Sequence, residues 1–294
     1  MNVRCALALL TVFTVRGAEM KPKALAAWQE YIEAAASAAE KHLRPENHFL
    51  DIDDDQDSVK RVRTGEILVS PVGAEGLKKV PSGIIHDWVA TAFIEHARLA
   101  EVLSVIRDYD RYKEIYQPTV IESKTLARRG LEDRFSMVLL NKSLFLNTAL
   151  NSEYECSYFR VNDHRWYSIS ETTRIREIEN YGTPDQRMLS DHQGTGLIWR
   201  LFSITRFEER DGGVYIELEA VALSRDIPIS VRWIVEPIVR RISRNSLTTS
   251  LRQTEDAISA GAATASRSRP SWSCSSIKLC GYDPPKSGAA HSLR

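Results

Sequence analysis

Five runs between Asp133 and Leu223 alternate apolar and polar residues: Asp133 to Leu140, Glu153 to Val161, Arg165 to Ile178, Leu197 to Glu208 and Val214 to Leu223. Asn-Asp, Gly and Asp-Gly-Gly punctuate them, and a period of two between turn signals predicts β-strands. The period changes after Pro228. Val231, Ile234, Val235, Ile238 and Ile242 then recur at helical spacing, with Arg232, Glu236, Arg240 and Arg244 largely opposite, so the helix has an apolar side to bury. Pro237 predicts a kink, and Asn245-Ser246 predicts a fresh cap for a second helical stretch through Leu247, Leu251 and Ile258. Strands followed by a long amphipathic helix predict an α+β fold in which a helix closes a curved antiparallel sheet.

Upstream, Leu25, Trp28, Ile32, Ala35, Ala36 and Ala39 are helically spaced between Lys21 and Leu43, and Pro22 suits the first turn. The acidic stretch from Asp51 to Asp57 resembles a calcium loop, but Gln56 stands where that loop needs Gly and Val62 where it needs Glu. A solvated loop is the simpler reading. Glu66 to Val69 and Ile84 to Ile94 predict strands, with a connection from Pro71 to Gly83. Leu99, Val102, Leu103 and Ile106 predict a helix, and Arg107 to Gln117 a short helical stretch that stops at Pro118. Val120 to Arg128 opens the strand series.

The turn at Asp211-Gly212 sets one hairpin register. If these two residues form the loop, Arg210 faces Gly213, and Phe207, Thr205, Ser203 and Leu201 face Ile216, Leu218, Ala220 and Ala222. That face is mostly apolar. The same register places Arg206 opposite Glu217 and Ile204 opposite Glu219 on the other face, the first a favourable charge pair.

With 294 residues, 43% of them hydrophobic, the chain is long enough to bury a full core. Basic and acidic residues both total 39, which leaves no global field for nucleic acid; no nucleic-acid partner is expected. Arg4, the apolar run from Cys5 to Val15 and the small residues Gly17 and Ala18 read as an export signal cut after Gly17, so the protein is expected to be secreted or periplasmic. Cys156 sits in a strand as a small hydrophobe. Cys274 and Cys280 have no zinc spacing and are candidates for a disulfide in an exported chain. Ala260 to Arg294 has little hydrophobic periodicity and is expected to be disordered. The organisation is thus a signal over 1–17, an N-terminal helical extension and linker strand over 18–79, a main domain over 80–259 and a tail over 260–294.

Two stretches carry a family resemblance. Ile84-Ile85-His86-Asp87-Trp88 leads to Asp108-Tyr109-Asp110-Arg111-Tyr112, and Val221-Ala222-Leu223-Ser224-Arg225-Asp226-Ile227-Pro228 precedes the closing helix. With the order of elements, they make Val80 to Ser259 resemble the START-like, or polyketide-cyclase and lipid-transport (Bet v 1-like), superfamily. The resemblance implies a helix-grip fold, with about seven antiparallel strands around a C-terminal helix and a cavity between them. It implies binding of a lipid, sterol, quinone or polyketide and carries over no catalytic residue. The helix at Lys21 to Leu43 and the extension after Ser259 depart from the family pattern.

Trp88, Tyr109, Tyr116, Phe135, Trp166, Trp199, Trp233 and Ile234 are the expected cavity lining, although core packing is the simpler reading of each aromatic alone. Arg174 and Arg200 are candidates to hold an anionic head group, against the simpler reading of a solvated outer surface. His86-Asp87 and Asp191-His192 place a base beside a carboxylate, but neighbours on a strand point to opposite faces and form no dyad by adjacency. Gly194-Thr195-Gly196 precedes a strand and lacks the third glycine of a dinucleotide loop. No cofactor and no metal are expected. The expected partner is an apolar or amphipathic small molecule bound by a monomer, with transient anionic-membrane contact through Arg232, Arg240, Arg241 and Arg244 as the functional reading of an otherwise solvated helix face. A cyclase or hydrolase using the same cavity, with His86, Asp191 or His192 as acid or base, is the alternative. A structural module with a filled core is the third reading.

Overall fold

The computed structural model describes residues 20–44, 48–73, 75–143, 146–191, 193–227 and 229–267, without the side chains of 141–148, 228–235 and 262–267. The expected signal, the tail beyond 267, Cys274 and Cys280 lie outside the described residues, as do His192 and the side chains of Arg232, Trp233 and Ile234.

The elements run α1 (Pro22–Lys41), α2 (Gln56–Arg63), β1 (Leu68–Pro71), β2 (Leu77–Val80), β3 (Gly83–Glu95), α3 (Leu99–Ile106), α4 (Tyr112–Ile115), β4 (Val120–Arg129), β5 (Glu132–Ser143), β6 (Leu146–Arg160), β7 (Arg165–Glu179), β8 (Arg187–Met188), β9 (Arg200–Arg210), β10 (Gly213–Arg225) and α5 (Ile229–Arg267). They form one antiparallel sheet in the order β1-β3-β10-β9-β7-β6-β5-β4, with β2 also on β3 and β8 on β7. The expected α+β helix-grip architecture is present. The sheet exceeds about seven strands because the short β1 and β2 share the outer edge of β3 and β8 adds to β7.

The central hairpin has the predicted register throughout, from Arg210↔Gly213 to Leu201↔Ala222, with Arg206↔Glu217 and Ile204↔Glu219. Asp211 and Gly212 both have positive φ (55° and 83°), the backbone of the two-residue turn whose twist matches the strands. A one-residue slip would exchange the faces of both strands, so turn and alternation reinforce each other.

Both faces of the sheet are covered on the β3 side. On the outer face, Trp28 and Ile32 of α1 pack on Ile85, Phe202, Ile204, Val221 and Leu223, while Phe49, Leu50, Ile52 and Val62 pack on Phe93 and Tyr215. This double burial explains why β3 reads as a nearly unbroken apolar run. It also corrects the solvated-loop reading of the acidic stretch. Asp51–Asp54 forms a 3-10 turn that buries Ile52, and Asp55 caps α2 by accepting from Asp57 N (3.1 Å) and Ser58 Oγ (2.6 Å).

On the inner face, Leu247, Leu251 and Ile258 of α5 meet Ala90, Ala92, Ile94, Phe207, Val214 and Ile216. Of the stripe expected to be buried in the first half of α5, Ile238 and Ile242 are exposed, and the side chains of Val231, Ile234 and Val235 lie outside those described. Ile242 and Leu247, five apart, lie about 140° apart on a helix, so they face different ways. No break occurs at Asn245-Ser246; both are exposed within a continuous helix, where neither has to leave the ladder. The helix also continues past Ser259 to Arg267.

Candidate functional site

The register assigns the inner face residue by residue. Ile94, Ala92, Ala90, Trp88 and His86 of β3 stand opposite Val214, Ile216, Leu218, Ala220 and Ala222 of β10. Phe207, Thr205, Ser203 and Leu201 of β9 continue the rows, followed by Trp166, Ser168 and Ser170 of β7 and then Arg160, Tyr158 and Cys156 of β6. Much of the centre is Ala, Ser and Thr. Small side chains there lower the floor beneath whatever lies above.

Two regions of this face are filled. At one, Tyr109 stacks on Phe135 with ring centroids 4.0 Å apart, and Phe135 on Tyr154 at 4.7 Å. Tyr109 also hydrogen-bonds Tyr158 Oη (2.9 Å) and donates to Asp133 Oδ2 (3.2 Å), which Arg107 holds through Nε and Nη2 at 2.9 Å each. At the other, the second half of α5 seals Ala90 to Ile94. Tyr116 braces the two, its hydroxyl 2.9 Å from Thr254 Oγ1.

Between these regions Ser170, Ser203, Thr205, Leu218, Ala220 and Ala222 are half-exposed, although they lie on interior strands. The first half of α5 lies towards this end, since β10 delivers the chain at Arg225 and Arg240 Nη2 binds Glu75 Oε2 (2.6 Å) of the β1–β2 connection. An incompletely packed floor near the closing helix is a candidate ligand site.

His86 and Trp88 border it, both buried. His86 Nε2 lies 2.8 Å from Ser224 Oγ, and burial lowers the histidine pKa to about 4, which keeps the ring neutral at physiological pH. Asp87 points the other way and accepts from Tyr31 Oη of α1 (2.7 Å), so adjacent His86 and Asp87 form no dyad. Asp191 pairs with Arg174 (2.9 Å), so among the described candidates His86, Asp87 and Asp191 do not converge. Among the described residues no cluster of three or more His, Cys, Asp or Glu could hold a metal ion.

The expected lining residues separate by face. Trp88, Phe135 and Trp166 are on the inner face, and Tyr109 and Tyr116 pack over it. Trp199 belongs instead to the outer cluster beneath α1. Arg174 and Arg200 are also outside: Arg174 is ion-paired with Asp191, and Arg200, whose pKa is lowered by burial and held up by Asp191 and Glu171, donates to Trp199 O (2.9 Å). The reason is parity. Arg200 shares its face with Phe202 and Ile204, and the register shift beside Glu153 and Tyr154 turns Arg174 outward. The expected lining does not include Ser224 or the small residues Ser203, Ala220 and Ala222, and His86 is expected only as an acid or base. The hairpin register held the signal for the last three, since it placed them on one face with no bulk.

A separate open groove of about 320 Å³ lies on β4 and β5, lined by Lys113, Glu122, Lys124, Ser136 and Asn151 among others. Its lining mixes these polar side chains with Met137 and Val138, and it is open to solvent.

No protein-family model matches the chain, and no curated protein matches it in sequence. Solved structures do resemble it. The STAR-related lipid transfer protein (fragment 25–204) from Xanthomonas axonopodis is 15% identical, with a TM-score of 0.42 over 65% of this chain and 98% of that one. Human STARD10 is 11% identical, with a TM-score of 0.42 over 78% and 88%. The Zhui aromatase/cyclase from Streptomyces sp. R1128 is 13% identical, with a TM-score of 0.36 over 58% and 94%. The neighbours are thus START-type lipid-transfer domains and polyketide aromatase/cyclases. At these identities the likeness is one of fold and transfers no residue role.

Proposed function

We propose that the protein is an exported monomer that binds a hydrophobic or amphipathic small molecule between the inner sheet face and the first half of α5. One observation carries this reading: Ser203, Thr205, Leu218, Ala220 and Ala222 are half-exposed on interior strands while the regions on either side are packed. Apolar surface left open at the centre of a sheet loses the burial that stabilises the rest of the core, and an apolar ligand restores it. Exposed Arg241 and Arg244 beside exposed Ile238 and Ile242 on α5 support transient contact with anionic lipid during ligand exchange.

Mass spectrometry of organic extracts from the purified protein tests the reading, together with thermal shifts across a lipid and quinone panel. The wild type is expected to carry an apolar compound and to gain about 2.7 kcal/mol at a ligand concentration a hundredfold above Kd. Ala220→Trp fills the floor and is expected to lose both effects while keeping its fold. A wild type that yields no compound and shows no shift refutes the reading.

A further inference from the structure

Hydrophobic packing leaves two polar atoms on the inner face of β3 unexplained. His86 Nδ1 and Trp88 Nε1 are buried without a hydrogen-bond partner. Their residues are 7% and 5% exposed, two positions apart on one face of β3, and stand opposite the half-exposed Ala222 and Ala220. Each orphan carries a desolvation cost, and both residues neighbour the floor positions Ala220 and Ala222 across the β3–β10 pairing.

One tautomer gives the two atoms opposite characters. If Ser224 Oγ donates to Arg225 O (3.3 Å), the 2.8 Å contact with His86 requires the ring proton on Nε2, donated to Ser224. Nδ1 is then a lone-pair acceptor, while the Trp88 indole N–H donates only. An acceptor and a donor from residues on one face of β3 match a hydroxyl group, which gives one hydrogen bond and receives another. A carboxylate offers no proton to Nδ1, and Asp87 on the reverse of β3 opposes a further negative charge. An alkane leaves both atoms unpaired.

We propose that His86, Trp88 and Ser224 form the polar end of the hollow and select amphiphiles with an uncharged hydroxyl head, alcohols or phenols, over carboxylates and hydrocarbons. This rests on the binding reading above and adds the head-group chemistry. The sequence held a partial signal: the register that sets Ala220 and Ala222 on the apolar face also sets Ser224 there.

The test uses the full chain loaded with a fluorescent apolar probe, displaced near neutral pH by 1-dodecanol, dodecanoate or dodecane. Dodecanol is expected to bind more tightly than the other two. Trp88→Phe keeps the ring and removes the N–H, and is expected to weaken dodecanol about five- to thirtyfold with dodecane unchanged. In the wild type, the Trp88 indole proton resonance is expected to move downfield with dodecanol and to stay in place with dodecane, a readout that does not depend on the variant folding. Equal displacement by the three compounds, or an indole signal indifferent to dodecanol, overturns the head-group proposal while the binding reading survives. Failure of the apolar probe and all three compounds to bind overturns both.

Discussion

Glu219 allows the closest test of how the N-terminal extension is held on the sheet. It lies on the outer face of β10, between Val89 and Ile204. Burial pushes its carboxyl up to about 7, the nearby Asp87 raises it further and Arg206 opposes the change. A folded pKa above the unfolded one means that the folded state holds the proton more tightly. The associated stability is fully present below the unfolded value, near the ordinary glutamate range, and is lost as pH rises through about 7. At about 1.4 kcal/mol per tenfold change in proton affinity, the charged side chain costs about 3 kcal/mol, reduced to about 2 by the solvent that still reaches it. Glu219→Gln removes the charge and keeps the shape. It is expected to be about 2 kcal/mol more stable than wild type at about pH 8 and nearly equal at about pH 5, by urea denaturation at constant ionic strength. Parallel pH profiles for the two proteins, or a variant weaker at the higher pH, would refute the reasoning.

Arg206 and Glu217 are 5% and 1% exposed in side chain and 2.6 Å apart, and Glu217 also accepts from the backbone N–H of Asp51 and Ile52. Arg206→Met leaves that carboxylate without its cation and is expected to cost about 3–5 kcal/mol in chemical denaturation; a loss below about 1 kcal/mol would show that the pair is not structural. Asp133→Asn weakens the contacts with Arg107, Arg128 and Tyr109, and is expected to lower stability by about 2–4 kcal/mol and to loosen the aromatic stack, visible as loss of near-UV circular dichroism. Gly194, at φ 120°, lies against the Glu177 carboxyl, which accepts from Thr195 N (2.7 Å) and Gly196 N (3.0 Å). Gly194→Ala is expected to expose the 193–199 connection to proteolysis, and unchanged cleavage kinetics would contradict this account.

The β9–β10 hairpin was legible residue by residue because its two constraints are local and agree: a turn pair that accepts positive φ, and an alternation of period two on either side. Helices α1 and α3 were legible from spacing alone. The acidic entry to α2 was not, since its order depends on the distant carboxylate of Glu217, which accepts from the backbone of Asp51 and Ile52. In α5, Leu247, Leu251 and Ile258 pack as their spacing predicts, whereas Ile238 and Ile242 are exposed, since spacing does not state which apolar positions meet a sheet.

The amino-acid order by itself determined the register of the β9–β10 hairpin, the helix that follows the strands and which residues of that hairpin share a face, because those properties follow from backbone period and turn chemistry. Only the tertiary structure decided which face is inner. With α1 and the 49–63 segment covering one side and α5 the other, both faces carry buried apolar rows, and alternation separates the rows without naming what lies against them. That decision sent Trp199, Arg174 and Arg200 outward and left His86, Trp88 and the small residues of β9 and β10 on the inner face.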